Sequence, residues 1–370
     1  MLDGAGVALR DALLERFRRP LDEPLPDHRF DALARAAFAF QFERNAAYGA
    51  WCTRRGVSPA SLRHWSEIPA VPTAAFRELA LVAGRPDRAE AVFRTSGTTR
   101  GAERRGAHYI PDLSLYHGSL LPNFAARLLP DGASLPMLSL IPSPPELPDS
   151  SLAHMVAQVM DRFGAPGSGW FATSAHGIDH ARLRRALEGC TRDGRAVCLL
   201  GTSLSFVHWL DGLAERDEHF TLPPGSRLMD TGGFKGRSRD VPADELRAEY
   251  QQRLGIPAAA CINEYGMTEL CSQFYDSTLA DPRASRRKLA PPWVRTRVVD
   301  PDSLEEVPAG RRGLLQHVDL ANLGSVMAVQ TEDVGQSTAD GFLVHGRAAG
   351  SMPRGCSIAM DELLAAARDR

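Results

Sequence analysis

Residues 91–101, AVFRTSGTTRG, and residues 262–276, INEYGMTELCSQFYD, are the two stretches from which the fold is read. In the first, a short apolar run feeds a loop of Thr95, Ser96, Gly97, Thr98 and Thr99. Glycine lets backbone approach an anion closely, and consecutive hydroxyl and amide N–H groups can cradle phosphate oxygens. The spacing is not that of a Walker loop, and a Ser/Thr/Gly loop after a strand is more often only a turn. In the second stretch Tyr265 offers an aromatic face for a purine. Thr268 offers a hydroxyl to a phosphate, and Glu269 a hard oxygen ligand for Mg²⁺. Each of these residues alone is more often structural.

Outward from these stretches the pattern alternates. Apolar runs at 91–93, 135–141, 196–201 and 226–230 read as strands, and helical stretches fall near 112–128, 150–163, 179–188, 203–215 and 243–254. Such alternation predicts an α/β fold with a mostly parallel sheet covered by helices on both faces. Upstream, the first 65 residues read as helical, with Phe30, Leu33, Ala37, Phe40 and Ala47 at helical spacing. Past residue 290, VRTRVVD, GLLQHVD, SVMAVQTED and GFLVHG read as short antiparallel strands of a barrel-like subregion. A last helix is expected over 357–368 with Ser357 as its N-cap. The expected organisation is a helical region 1–75, an α/β core 76–290, a β-rich subregion 291–347 and a tail 348–370.

Of 370 residues 44% are apolar, ample for a buried core, and the formal charge is −2. No strong field recruits nucleic acid or an anionic membrane. No apolar run is long enough to span a bilayer, and the first ten residues do not read as a signal peptide, so a cytoplasmic protein is expected. The six cysteines are scattered without a close pair, which argues for free thiols rather than disulfides or zinc. The histidines at 108, 117, 154 and 208 fit no metal spacing and receive no role. Only Lys235 and Lys288 are lysines, so any lysine role has two candidates.

Together and in this order, the two stretches resemble the adenylate-forming superfamily of acyl- and aryl-CoA ligases, luciferases and peptide-synthetase adenylation domains. That resemblance implies a hydroxyl loop gripping the ATP β- and γ-phosphates, and a YGxTE segment holding adenine, α-phosphate and Mg²⁺. Gly266 belongs to that segment. QTEDVG (330–335) supplies Asp333 where the superfamily places an aspartate on the ribose, and HGR (345–347) supplies Arg347 near its hinge. The resemblance narrows to the acyl-protein synthetases of bacterial fatty-acid reductase systems, the LuxE type. It is carried by IPAVPTAAF, RTSGTTRG, LSLIPSPPELPDSSLAHMV, DTGGFKG, NEYGMTELCSQFYD and GRAAGSMPRGCS, from residue 68 to 357. It implies the large domain of the adenylate-forming fold without the mobile C-terminal lid, since some 23 residues follow Arg347 and none is lysine.

The implied reaction is ATP- and Mg²⁺-dependent activation of a carboxylic acid, by family default a long-chain fatty acid, to acyl-AMP. The acyl group then passes to an enzyme cysteine as a thioester and on to a partner acyl reductase. Cys356 is the candidate acceptor: Arg354 and a helix N-terminus would favour its thiolate, and Gly355 would lend mobility. The other five cysteines read as core. Lys235, in a glycine-rich turn, could neutralise phosphate charge in place of a lid lysine, or be a solvated loop residue. Arg100, Arg104 and Arg105 stand where many relatives have Pro-Lys-Gly, which puts a γ-phosphate contact there in doubt. The alternatives are a ligase acting on coenzyme A or a carrier protein, and a catalytically silent adenylate-binding module.

Overall fold

The computed structural model describes residues 4–96, 105–232, 241–348 and 352–368. The chain forms two compact units. The first comprises Met1–Pro122, Met267–Gln273 and Arg287–Arg370; the second comprises Asn123–Gly266 and Phe274–Arg286.

The second unit is an α/β layer built on a mostly parallel sheet. Met137–Ser139 pairs in parallel with Gly169–Trp170 and with Cys198–Thr202. Cys198–Thr202 pairs with Arg227–Thr231, which pairs with Cys261–Tyr265, both in parallel. Phe274–Asp276 pairs antiparallel with Cys261–Tyr265. The strands Cys198–Thr202 and Arg227–Thr231 are buried almost throughout, as continuous apolar runs in a covered parallel sheet should be. The helices turn apolar stripes to them: Leu183, Leu187 and Cys190 from His180–Arg192, and Phe206, Trp209, Leu210 and Leu213 from Ser203–Glu215, join one core with Leu199 and Leu228. Ser150, Asp179 and Thr202 cap their helices through side-chain oxygens, each worth about 1 kcal/mol.

The first unit holds the helices Gly4–Phe17, Asp27–Arg44 and Ala46–Arg54 and an antiparallel sheet. Val294–Val299, Arg312–Asp319, Ala328–Ser337 and Phe342–Arg347 pair consecutively and antiparallel, as expected after residue 290. Val71–Pro72 lies parallel against the start of Ala328–Ser337. Gln41 stitches the second helix to this sheet: its amide N–H groups reach the carbonyls of Asn322 and Leu323, and its oxygen takes the N–H of Met327. The final helix runs Arg354–Arg368, three residues earlier than the sequence suggested. Pro353 precedes the first turn, where a missing N–H is harmless, and Ser357 N–H already bonds the Pro353 carbonyl, so Ser357 is interior rather than a cap.

Candidate functional site

The hydroxyl run begins at the end of a hairpin in the first unit. Ala91–Arg94 pairs antiparallel with Ala107–Ile110, placing Phe93 opposite His108. Thr95 extends the pairing: its N–H bonds the Gly106 carbonyl at 2.9 Å, and its hydroxyl oxygen accepts the Gly106 N–H at 2.9 Å. Thr95 therefore closes the hairpin and keeps its hydroxyl proton for donation. The Arg105 guanidinium donates to the carbonyls of Arg94 and Thr95, so this arginine braces the hairpin. Ser96 is exposed. Gly97, Thr98 and Thr99, with Arg100, Arg104 and Lys235, lie outside the described residues.

Thr268 and Glu269 stand on a turn whose backbone is anchored from three sides. His108 Nδ1 meets the Thr268 carbonyl at 2.7 Å, and Asn322 Nδ2 donates to the Glu269 carbonyl at 2.9 Å. Asp319 accepts the N–H groups of Cys271 at 3.0 Å and Ser272 at 2.8 Å, and the Ser272 hydroxyl at 2.7 Å. Fully enclosed, Asp319 is nonetheless pushed up to about 6, because burial outweighs these donors. The Glu269 carboxyl is buried and pushed up to about 7 by desolvation; its own N–H, Arg347 and Arg77 pull the other way, and Asp333 adds to the rise. Asp333 and Arg347 face each other across neighbouring strands and form an ion pair at 3.6 Å. The structure thus gathers Glu269, Asp333, Arg347 and Arg77 into one charged group within the first unit.

Tyr265 and Gly266 belong to the second unit. Tyr265 ends the strand Cys261–Tyr265, half-buried, its ring 5.7 Å from that of Phe274. A Cβ on Gly266 would overlap the Glu264 carboxylate, which takes a short hydrogen bond from the Thr231 hydroxyl. A side chain there would displace the end of Glu264 from its Thr231 partner.

Cys356 departs from its expected surroundings. It is the third residue of the final helix, 1% exposed, packed with Val299 and Leu314 and flanked by Leu304, Val334, Ala348 and Met352. Burial, with the Glu332 charge, pushes its thiol up to about 11, opposite to the direction expected from Arg354 and the helix N-terminus. Gly355 does not serve mobility either. Its N–H bonds the Pro301 carbonyl at 3.0 Å, and a Cβ would lie 2.7 Å from Leu304 Cγ and 2.9 Å from the Pro301 oxygen. It is a close-packing glycine. The other five cysteines are buried, as expected.

Among the described residues no three His, Cys, Asp or Glu side chains come together as a metal cage. One buried carboxylate, Glu269, beside a prospective phosphate site fits the other mode, in which Mg²⁺ is shared between a protein carboxylate, substrate phosphates and water. No helix among the described residues is long and apolar enough to cross a membrane.

Sequence reasoning missed His108, Asp319, Asn322 and Arg77. None stands in a motif, and their partners lie up to 214 residues away, so no local signal marks them. The one hint was negative: a histidine in an apolar strand needs buried partners.

Solved structures share the fold. The chain superposes on 2-hydroxyisobutyryl-CoA ligase in its postadenylation state with a TM-score of 0.64 at 17% identity, covering 90% of this chain and 68% of that one. With ATP-bound MatB from Rhodopseudomonas palustris the TM-score is 0.51 at 17% identity, covering 73% and 50%. In sequence the chain is 26% identical over 311 residues to a long-chain-fatty-acid–luciferin-component ligase of Aliivibrio fischeri, covering 82% of this chain and 78% of that protein. It is 21% identical over 305 residues to the protein of the same name from Vibrio harveyi, with the same coverage. The profile of the acyl-protein synthetase family, LuxE, matches residues 171–365, more than half of the 370 residues. The chain belongs to the LuxE family of acyl-protein synthetases.

Proposed function

We propose that this ligase activates a carboxylic acid with ATP to an acyl-adenylate and then carries the acyl group as a thioester on Cys356. The observation that carries the first step is the buried Glu269 carboxyl set among Arg77, Arg347 and Asp333. The substrate carboxylate oxygen attacks the α-phosphorus, the bond to the bridging oxygen breaks, and pyrophosphate leaves. Arg77 and Arg347 supply positive charge near the reacting phosphates, Asp333 accepts from the ribose hydroxyls, and Thr95 and Ser96 donate to phosphate oxygens together with Gly97, Thr98 and Thr99. Tyr265 and Gly266 would bound the adenine, Thr268 would donate to the α-phosphate, and Lys235 would offset phosphate charge. Mg²⁺ on Glu269 would neutralise the charge of the departing pyrophosphate.

In the second step the Cys356 sulfur attacks the acyl carbonyl, the carbon–oxygen bond to phosphate breaks, and AMP leaves; the thiol proton passes to solvent. A long-chain fatty acid is the preferred substrate class, since the relatives from Aliivibrio fischeri and Vibrio harveyi are named for one. Delivery to a partner acyl reductase completes the reading, and the domain roles follow: residues 76–290 as adenylation core, 291–347 as its β-rich supplement, and 348–370 as acyl-carrying tail.

The burial of Cys356, with its thiol pushed up, favours one second reading: transfer to an external thiol such as coenzyme A or a carrier protein. Carboxylate-dependent ATP–pyrophosphate exchange across acids of two to sixteen carbons tests the adenylation step. Exchange with a long-chain acid supports it; no exchange with any acid moves a silent adenylate-binding module to the front. Turnover stimulated by added coenzyme A would select the second reading.

A further inference from the structure

His108 is fully enclosed in the first unit and joins segments far apart in the chain. Its strand pairs with the one that leads into the hydroxyl run. From there Nδ1 faces the Thr268 carbonyl at 2.7 Å and Nε2 faces Asn322 Oδ1 at 2.8 Å. Asn322 Nδ2 in turn donates to the carbonyls of Glu269 and Val326, both at 2.9 Å. Those two carbonyls fix the amide: turned over, its oxygen would oppose two carbonyl oxygens. The oxygen therefore faces His108, and it also receives the Cys271 thiol at 3.4 Å. The Thr268 carbonyl can only accept, so Nδ1 carries the proton of the neutral ring; the two oxygens favour a second proton, and burial opposes it.

The consequence lies at Glu269. The carbonyls of residues 268 and 269 are consecutive, one held by His108 and the other by Asn322. Two anchored peptide units fix the backbone on either side of the Glu269 Cα, and hence the direction in which its carboxyl leaves the chain. Burial opposes a charged ring, pushing the imidazole down to about 4. The ionisable groups on the elements packed around it are Glu269 and Cys271 on the turn, Asp319 beside Asn322, and Arg77 on the short helix Thr73–Arg77. The Phe76 ring of that helix meets the imidazole edge-on at 5.6 Å.

We propose that His108 is the positioning residue of this site: through Nδ1 it fastens the Thr268–Glu269 turn to the hydroxyl-loop hairpin, beside Asn322, and so aims the Glu269 carboxyl. The inference deepens the adenylation reading and rests on it. It is tested in the full chain with His108→Gln, which keeps one donor, and His108→Phe, which keeps the ring shape with none. Pyrophosphate exchange at saturating acid should fall about 10-fold in the first and about 100-fold in the second, the scale expected for losing buried hydrogen bonds. KM for ATP should rise and KM for the acid should stay within about twofold, a split that general destabilisation does not produce. If the Phe variant does not fold, His108→Gln carries the kinetic test. In ¹⁵N-histidine-labelled wild type near neutral pH, the signal missing from His108→Gln should show a protonated Nδ1. A folded variant exchanging within about twofold of wild type overturns the positioning role, and an unprotonated Nδ1 overturns its bond to the Thr268 carbonyl. If wild type exchanges with no acid, the adenylation reading fails instead, and the nitrogen spectrum alone decides on His108.

Discussion

The turn carrying Thr268 and Glu269 and the tail carrying Cys356 are both central to the proposed chemistry, and they are held by different forces. The turn is fixed by directional hydrogen bonds: its carbonyls face His108 and accept from Asn322, and its N–H groups donate to Asp319, all enclosed. The tail is held mainly by packing, Cys356 against Val299 and Leu314 and the final helix against Ala46–Arg54, with one backbone bond from Gly355 to Pro301 and an exposed ion pair from Arg55 to Glu362. Directional bonds between buried partners select one geometry and are expensive to break singly. Apolar packing of one helix is separable as a unit, at a free energy below that of global unfolding. A group that must aim at one phosphorus atom suits the first; a nucleophile that must visit an adenylate and then another acceptor suits the second. On the proposed reading, the buried, weakly acidic Cys356 is a resting state, and its helix would have to release for the sulfur to reach an adenylate.

The comparison is sharpened most by Glu269→Gln. Removing the buried carboxylate that would hold Mg²⁺ in the proposed reaction should lower pyrophosphate exchange by about 10²–10³, the usual penalty for losing one preorganised charge-stabilising group. A loss of less than tenfold would break the view that the turn is the fixed half of the site.

Next in size is a pH effect at Asp319. Its folded value, about 6, lies above its ordinary carboxyl value of 3.8, so its contribution to stability is complete below the ordinary value and lost as pH rises through about 6. A shift of this size corresponds to about 3 kcal/mol. Thermal unfolding of wild type and Asp319→Asn from pH 4 to 8 should show wild type losing ground to the variant across that window. A gap that stays constant with pH contradicts a desolvated carboxylate there.

Gly355→Ala probes the tail. The added Cβ meets Leu304 and the Pro301 carbonyl, and overpacking of this kind costs about 1–3 kcal/mol. The strain falls where the helix docks, so the Cys356 thiol should react faster with a thiol reagent while pyrophosphate exchange changes little. An unchanged thiol rate would mean that the tail is not a separable unit. The smallest effect is expected from Arg55→Ala, which removes a half-exposed ion pair to Glu362 on the same helix, worth about 0–1 kcal/mol.

Much of this was legible in the sequence, and the reasons for the rest are physical. The helices Ser203–Glu215 and Ala243–Leu254 fall where their patterns placed them, because local periodicity and caps decide such elements. The antiparallel strands after residue 290 were legible for the same reason. The surroundings of Cys356 were not. A neighbouring arginine and a helix start are local signals for a thiolate, but Leu314 and Val334 come from distant strands and reverse them by burial. His108 was silent because its meaning lies in Thr268 and Asn322, 160 and 214 residues away. Gly355, expected to lend mobility, is fixed by the Pro301–Leu304 turn, which no local pattern shows.

The most direct test of a fixed adenylating turn served by a separable acyl-carrying tail is acyl labelling of wild type and Cys356→Ser. Each protein is incubated with Mg·ATP and radiolabelled tetradecanoate, run on a denaturing gel, treated with hydroxylamine, and assayed in parallel for pyrophosphate exchange. The account predicts ATP-dependent, hydroxylamine-labile label on wild type, none on Cys356→Ser, and equal exchange in both. Undiminished label on Cys356→Ser, or exchange lost together with label, would contradict it.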